Sequence, residues 1–115
     1  MTDDELNAEV ARRVFGEAVR KTDSEWQVKG SRYVPWYTPP KYATRIEDAW
    51  CVVEKMRELG YWFHLDSDVS YHGETLWMAN FTAKELIRAE TAPKAIVLAA
   101  LSALTPPAEK GGKER

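Results

Sequence analysis

Apolar residues recur along positions 3–15 at the spacing of an amphipathic helix, Leu6, Val10 and Val14, with Glu5, Glu9 and Arg12 on the other side. Asp3, Asp4 and Glu5 fill its first turn, where negative charge complements the helix dipole, and Gly16 is placed to close it in a left-handed C-cap. Continuation to Val19 is the competing reading, since a helical glycine costs only about 1 kcal/mol. The pattern then breaks. Two short extended stretches, Ala18–Lys21 and Trp26–Lys29, flank a turn at Thr22-Asp23-Ser24. Residues 32–42, RYVPWYTPPKY, hold three prolines and four aromatics, which favours an extended loop over an internal strand. Thr44 to Glu47 has the form of a capping box, and Ile46, Trp50, Val53, Met56 and Leu59 follow as an apolar stripe, predicting a helix over 45–59 that Gly60 ends.

Strand alternation takes over after Gly60. Tyr61, Phe63 and Leu65 alternate with Trp62, His64 and Asp66, and Thr75–Thr82 is rich in β-formers, so the two segments predict an antiparallel hairpin around a hydrophilic connection, 67–74. Bulky apolar groups on both faces imply cover on each side. The short segment 83–88 is compatible with a helix but decides nothing. Thr91 caps a last helix with Pro93 in its first turn, and 95–104 is apolar at nine of ten positions, as a buried helix should be. The expectation is an α+β domain over 1–105, in the order α-ββ-α-β-β-α. A small antiparallel sheet lies between helices, and a polar tail over 106–115 is disordered.

Composition narrows the class. At 115 residues the chain has the usual size of one domain. Lys+Arg 16 against Asp+Glu 18 leaves net −2, which argues against generic nucleic-acid binding. No apolar run is long enough to cross a bilayer, and the acidic start MTDDELNAEV does not read as a secretory signal. The single cysteine, Cys51, suits a reducing cytoplasm and a small buried filler better than a nucleophile.

Candidate chemistry is sparse. His64, Asp66 and Asp68 alternate along one strand face with His72 nearby, a set that metal chemistry could use, although the spacing fits no established metal motif. There is no phosphate loop, no GxSxG and no HExxH, so neither an enzyme nor a cofactor is expected. Five Trp and five Tyr are many for this length. Trp50, Tyr61, Phe63, Trp77 and Phe81 sit at periodic positions and are expected in the core. Tyr33, Trp36, Tyr37 and Tyr42 do not, and they lie among Arg32, Lys41 and Arg45. Aromatic rings with cations can stack on a base and hold a phosphate, and Tyr, Trp and Arg also dominate protein–protein hot spots. The bland alternative is a loop that merely covers Trp62 or Trp77.

Pro39-Pro40, Tyr42, Thr44, Ile46, Ala49-Trp50, Val52-Val53-Glu54-Lys55, Gly60-Tyr61, Thr91-Ala92-Pro93, Ala95-Ile96 and Ala99-Ala100-Leu101 together resemble the phage ABA sandwich domain family, over about residues 3–104. Lys41 between the prolines and Tyr42, and the composition of 17–38, depart from the family pattern. The resemblance implies a sheet sandwiched by helices in a phage or prophage protein, and carries no activity with it. A double-stranded RNA-binding domain, which the last helix start superficially suggests, needs a lysine cluster where Lys94 stands behind Glu90.

These readings lead to a non-enzymatic phage accessory protein in the bacterial cytoplasm that acts by binding, as an inhibitor of a host or anti-phage defence protein. Its expected contact residues are Arg32, Tyr33, Trp36, Tyr37, Tyr42, Thr44 and Arg45. The alternative is an oligomeric sponge for a nucleotide second messenger, using the same aromatics with the helix N-termini at Thr44 and Thr91. Metal-dependent hydrolysis through His64, Asp66 and His72 is the remote third.

Overall fold

The computed structural model describes residues 1–30, 32–33, 35–69, 73, 75–82 and 85–104. Three helices and two antiparallel sheets alternate along the chain: α1 (Asp3–Arg13), β1 (Val19–Lys21), β2 (Trp26–Lys29), β3 (Trp36–Tyr37), α2 (Ile46–Glu58), β4 (Phe63–Val69), β5 (Thr75–Phe81), β6 (Ile87–Ala89) and α3 (Ala92–Leu104). The first sheet runs β1-β2-β3 and the second β4-β5-β6. The α+β class is therefore as expected, but the strands divide between two small sheets, and two of them were hidden in the sequence. Three prolines masked β3. A three-residue strand at the sheet edge, β6, is too short to show a period of its own. The expected polar tail and His72 fall outside the described residues.

Helix α1 begins with a capping box that the acidic first turn only hinted at. The Thr2 hydroxyl accepts from the Glu5 N–H at 3.1 Å, and the Glu5 carboxylate accepts from the Thr2 N–H at 2.8 Å. The bonds from Thr2 hold the Glu5 carboxyl below its ordinary range. The helix ends two residues earlier than its apolar period suggests, and Gly16 takes a left-handed φ of 69° as the chain turns away.

At α2 the sequence misleads twice. Thr44 is not the N-cap: Arg45 occupies that position with extended backbone angles and no side-chain cap bond. The Lys41 carbonyl accepts from both the Thr44 and Arg45 N–H groups, so the chain enters through a turn and the helix starts a residue later. Asp48 ties that turn down by accepting from the Lys41 N–H at 3.0 Å. Nor is the predicted stripe the whole buried face: Val53 and Met56 are buried as expected, but beside Ala49 and Val52 and without Ile46, Trp50 and Leu59. Each three-residue step falls about 60° short of a full turn, so the three steps from Trp50 to Leu59 wind about 180° round the helix. Ile46, Trp50 and Leu59 are consequently exposed, Trp50 at 44%. Cys51, on the side away from α3, is exposed and not a buried filler.

Helix α3 is the centre of the molecule. Ala95, Ile96, Val97, Ala99 and Ala100 are buried almost completely, and between the two end residues of the helix only the stripe of Lys94, Leu98 and Ser102 is partly exposed. It packs on β5 and β6 along one side, with α2 and α1 beside it. Its alanines allow that close approach, and Thr91 caps its start, accepting from the Lys94 N–H at 3.4 Å. Across the second sheet the registers Phe63↔Phe81, Leu65↔Ala79↔Ile87 and Ser67↔Trp77↔Ala89 place these residues on the α3 side. Phe81 is fully buried there, with the Phe63 ring 5.0 Å away. The other face, with Leu76 and Met78, has no helix on it among the described residues, contrary to the expectation of cover on both sides.

The first sheet lies against α1 through Val28, which is fully buried. Two further contacts anchor the segment after β3. Tyr42 stacks on Phe15 at 5.3 Å, and the buried Asn7 carboxamide accepts from the Ala43 N–H at 2.8 Å. Residues of all three helices and both sheets share one apolar core.

Candidate functional site

Pleating decides what the first sheet shows to solvent. Val19↔Val28↔Tyr37 share the α1 side, so Arg20, Gln27, Lys29 and Trp36 fall on the outer face. There the Arg20 guanidinium sits over the half-buried Trp36 ring at 4.1 Å from its centre, with the Lys29 ammonium at 5.9 Å. Arg20 Nε also donates to the Gln27 carboxamide at 2.8 Å, which fixes the guanidinium plane. Such a cation–π contact at an exposed site contributes about 0.5–1 kcal/mol and leaves the guanidinium's other N–H groups for a partner.

The seven residues expected to make contact do not stay together. Arg32 and Tyr33 are exposed in the β2–β3 connection, Tyr33 at 85%. Trp36 belongs to that face. Tyr37 points to the opposite side, where its hydroxyl donates to Glu17 at 3.4 Å; burial, then the Glu17 charge, pushes its phenol up. Tyr42 leaves the site altogether: at 5% exposure it is core, stacked on Phe15. The chain carries it inward because Pro39, also buried, leads into the turn at Lys41. Thr44 and Arg45 are exposed at the entry to α2, and Arg45 is paired with Glu47 at 2.9 Å. Of the two rings that a merely covering loop would shield, Trp62 is 59% exposed.

Arg20 and Lys29 were the members missed. Strand alternation puts both on one side of the β1–β2 hairpin, a signal present in the sequence, but nothing showed that Trp36 would join them as a third strand. On the α1 side of the sheet a polar groove of about 270 Å³ is lined by Asp4, Asn7, Ser24, Glu25, Trp26, Thr38, Pro39 and Lys41. Two carboxylates against one ammonium make it a poor phosphate site. Among the described residues no group of three or more His, Cys, Asp or Glu side chains converges as metal ligands. His64 and Asp66 are exposed on the outer side of β4. The third option's remaining member, His72, lies outside the described residues. Cys51 Sγ is 3.6 Å from the Glu47 carbonyl, a helical back-contact, with no histidine among its described partners.

The sequence profile of the phage ABA sandwich domain matches residues 8–101, from the middle of α1 through most of α3. The chain belongs to this family. It is also similar in structure to a phage protein from Bacillus cereus ATCC 14579 known from a 2.0 Å crystal structure. That similarity has a TM-score of 0.67 and 26% sequence identity, over 89% of this chain and 91% of the other. No curated protein matches. The phage ABA sandwich fold thus accounts for the helices and sheets, and both strands that carry Arg20 and Lys29 fall within the matched range. No helix among the described residues is long and apolar enough to cross a membrane.

Proposed function

We propose that this phage protein acts by binding, without catalysis or cofactor. The outer face of its first sheet docks on an acidic surface of a bacterial host or anti-phage defence protein in the cytoplasm of the infected cell. The observation that carries the reading is Trp36 held under Arg20 and flanked by Lys29 on an exposed sheet face. Arg and Trp are the side chains that anchor protein interfaces, and here the arginine is already oriented by Gln27, so little rotamer freedom is lost on docking. Arg32 and Tyr33, exposed in the connection between β2 and β3, are the further contact residues of this reading. The nucleotide-sponge reading has less behind it: Tyr42 is core, Arg45 is paired with Glu47, and the groove on the α1 side of the sheet is acidic.

Affinity capture from host lysate with wild type, Trp36→Ala and Arg20→Glu/Lys29→Glu tests this, followed by titration of the recovered partner. Loss of a hot-spot side chain of this kind should weaken binding by roughly 30-fold or more, the equivalent of about 2 kcal/mol. Unchanged recovery by both variants would remove the face from the interaction. A nucleotide that raised the melting temperature with concentration would favour the sponge instead.

A further inference from the structure

The second sheet is covered by α3 on the Phe81 side only. On its other face the register Asp66↔Met78↔Arg88 sets a carboxylate, a thioether and a guanidinium in one row across β4, β5 and β6. Leu76 follows Met78 along the middle strand on the same side, and Trp62 and Leu86, both exposed, stand just before β4 and β6. Among the described residues neither Asp66 nor Arg88 has an ion-pair partner. Leu76 and Met78, both part-exposed, run along the centre of this face until the polar pair His64↔Asn80, and with Trp62 and Leu86 they are more apolar area than a face meant only for water needs.

We propose that a second copy of this chain covers this face, stacked sheet on sheet about a two-fold axis that runs along β5. That choice of axis follows from charge. Rotation about a line parallel to the strands keeps each row level and exchanges the two edges, so Asp66 of one copy meets Arg88 of the other, twice. Met78 then meets Met78 and Leu76 meets Leu76 on the axis, while Trp62 lies diagonally across from Leu86 of the other copy. Rotation about a line across the strands would instead set Asp66 on Asp66. The strands of the two sheets run alongside each other, which is the aligned class of sheet packing, with sheets about 10 Å apart. Two carboxylate–guanidinium pairs at the rim and an apolar centre make a self-complementary isologous contact. The C-terminal segment AEKGGKER is a weaker candidate occupant, since one alanine is its only apolar side chain against Trp62, Leu76, Met78 and Leu86. Three strands about 4.8 Å apart give a narrow face, so the dimer falls at the small end of interface sizes and is expected to dissociate at micromolar concentrations.

Sedimentation equilibrium of the full chain across micromolar concentrations is the test. Wild type should pass from 13.1 kDa to twice that mass. Met78→Glu should stay monomeric. Asp66→Arg and Arg88→Asp should each weaken the dimer by roughly tenfold, because the axis counts every change twice, and the double exchange Asp66→Arg/Arg88→Asp should restore it. Far-UV circular dichroism and melting confirm that each variant is folded, and the exposed charge pair supplies the answer should Met78→Glu unfold. A wild type that is monomeric throughout would overturn the proposal. So would a dimer indifferent to Met78→Glu, or a double exchange that fails to rescue. A chain truncated after Leu104 that dimerises where the full chain does not would assign the face to the tail.

Discussion

The second sheet rests Phe63, Leu65, Trp77, Ala79, Phe81, Ile87 and Ala89 on an alanine-rich helix, and what holds it is apolar area removed from water. The first sheet, with the same number of strands, has one fully buried side chain, Val28. Its remaining ties are a ring stack, a buried carboxamide, two tyrosine and tryptophan contacts with charged groups, and a handful of hydrogen bonds. Apolar burial contributes about 25 cal/mol per Å² whatever the direction of approach, whereas the polar contacts each contribute about 1 kcal/mol and only in one geometry. A sheet held in the second way keeps its cations and rings on display, which is why the proposed binding face lies there while most of the apolar core belongs to the other half.

The sharpest way to break that contrast is at its apolar end. Phe81→Ala removes a fully buried ring between Phe63 and the α3 face, and should cost about 3–5 kcal/mol, as a large core truncation does. Trp36→Ala, in the other sheet, should cost far less. Chemical denaturation of the two variants side by side measures both; comparable losses would mean that the first sheet carries as much of the stability as the second.

The same contrast explains what could be read in advance. Wherever burial has a period, the sequence showed it: the β1–β2 and β4–β5 hairpins, α1 and α3 stand close to where alternation and helical spacing put them. It failed where position depends on a partner distant in the chain. Tyr42 looks like a surface aromatic until Phe15 is found 27 positions earlier, packed flat against it. Trp36 lies among prolines and becomes a strand residue only because β2 offers an edge, with Lys29 directly opposite. The α2 stripe failed for a local reason, since a run of three-residue steps drifts off a helix face. Of the candidate site, Trp36 alone is placed on the outer face by strand register, and Arg32 and Tyr33 are exposed in the connection before it. The cations that complete that face came from a hairpin whose outward side has no apolar signal at all.

Tyr42 also gives the first half of the molecule a titratable marker. Burial first, then the Glu17 charge, raises its phenol well above the ordinary tyrosine range. The folded protein therefore keeps this proton after the unfolded chain has lost it. Below about pH 10 the group is neutral in both states and has no pH-dependent effect; above it the unfolded state binds fewer protons, so stability falls as pH rises. The slope approaches about 1.4 kcal/mol per pH unit for one such group. Tyr42→Phe keeps the stack on Phe15 and should flatten the alkaline limb of the stability curve relative to wild type, with little change at neutral pH. An alkaline limb identical in the two proteins would mean that the phenol titrates freely and that the segment after β3 is not packed against α1.

The smallest expected effect separates two stretches of identical pattern. Thr2-Asp3-Asp4-Glu5 and Thr44-Arg45-Ile46-Glu47 both read Thr-x-x-Glu before a helix, yet only the first closes its pair of hydrogen bonds. At the second, the turn through Lys41 has already used the Thr44 and Arg45 N–H groups, and Glu47 has turned to the Arg45 guanidinium. Thr2→Ala should therefore cost about 1 kcal/mol, the ordinary loss of an N-cap. Thr44→Ala, whose side chain is exposed and caps nothing, should stay within about 0.5 kcal/mol of wild type. Thermal melts of the two alanine variants decide the matter. Equal losses would show that α2 forms the capping box in solution and begins one residue earlier. That would swing Arg45 from the N-cap into the first turn and away from its present pairing with Glu47.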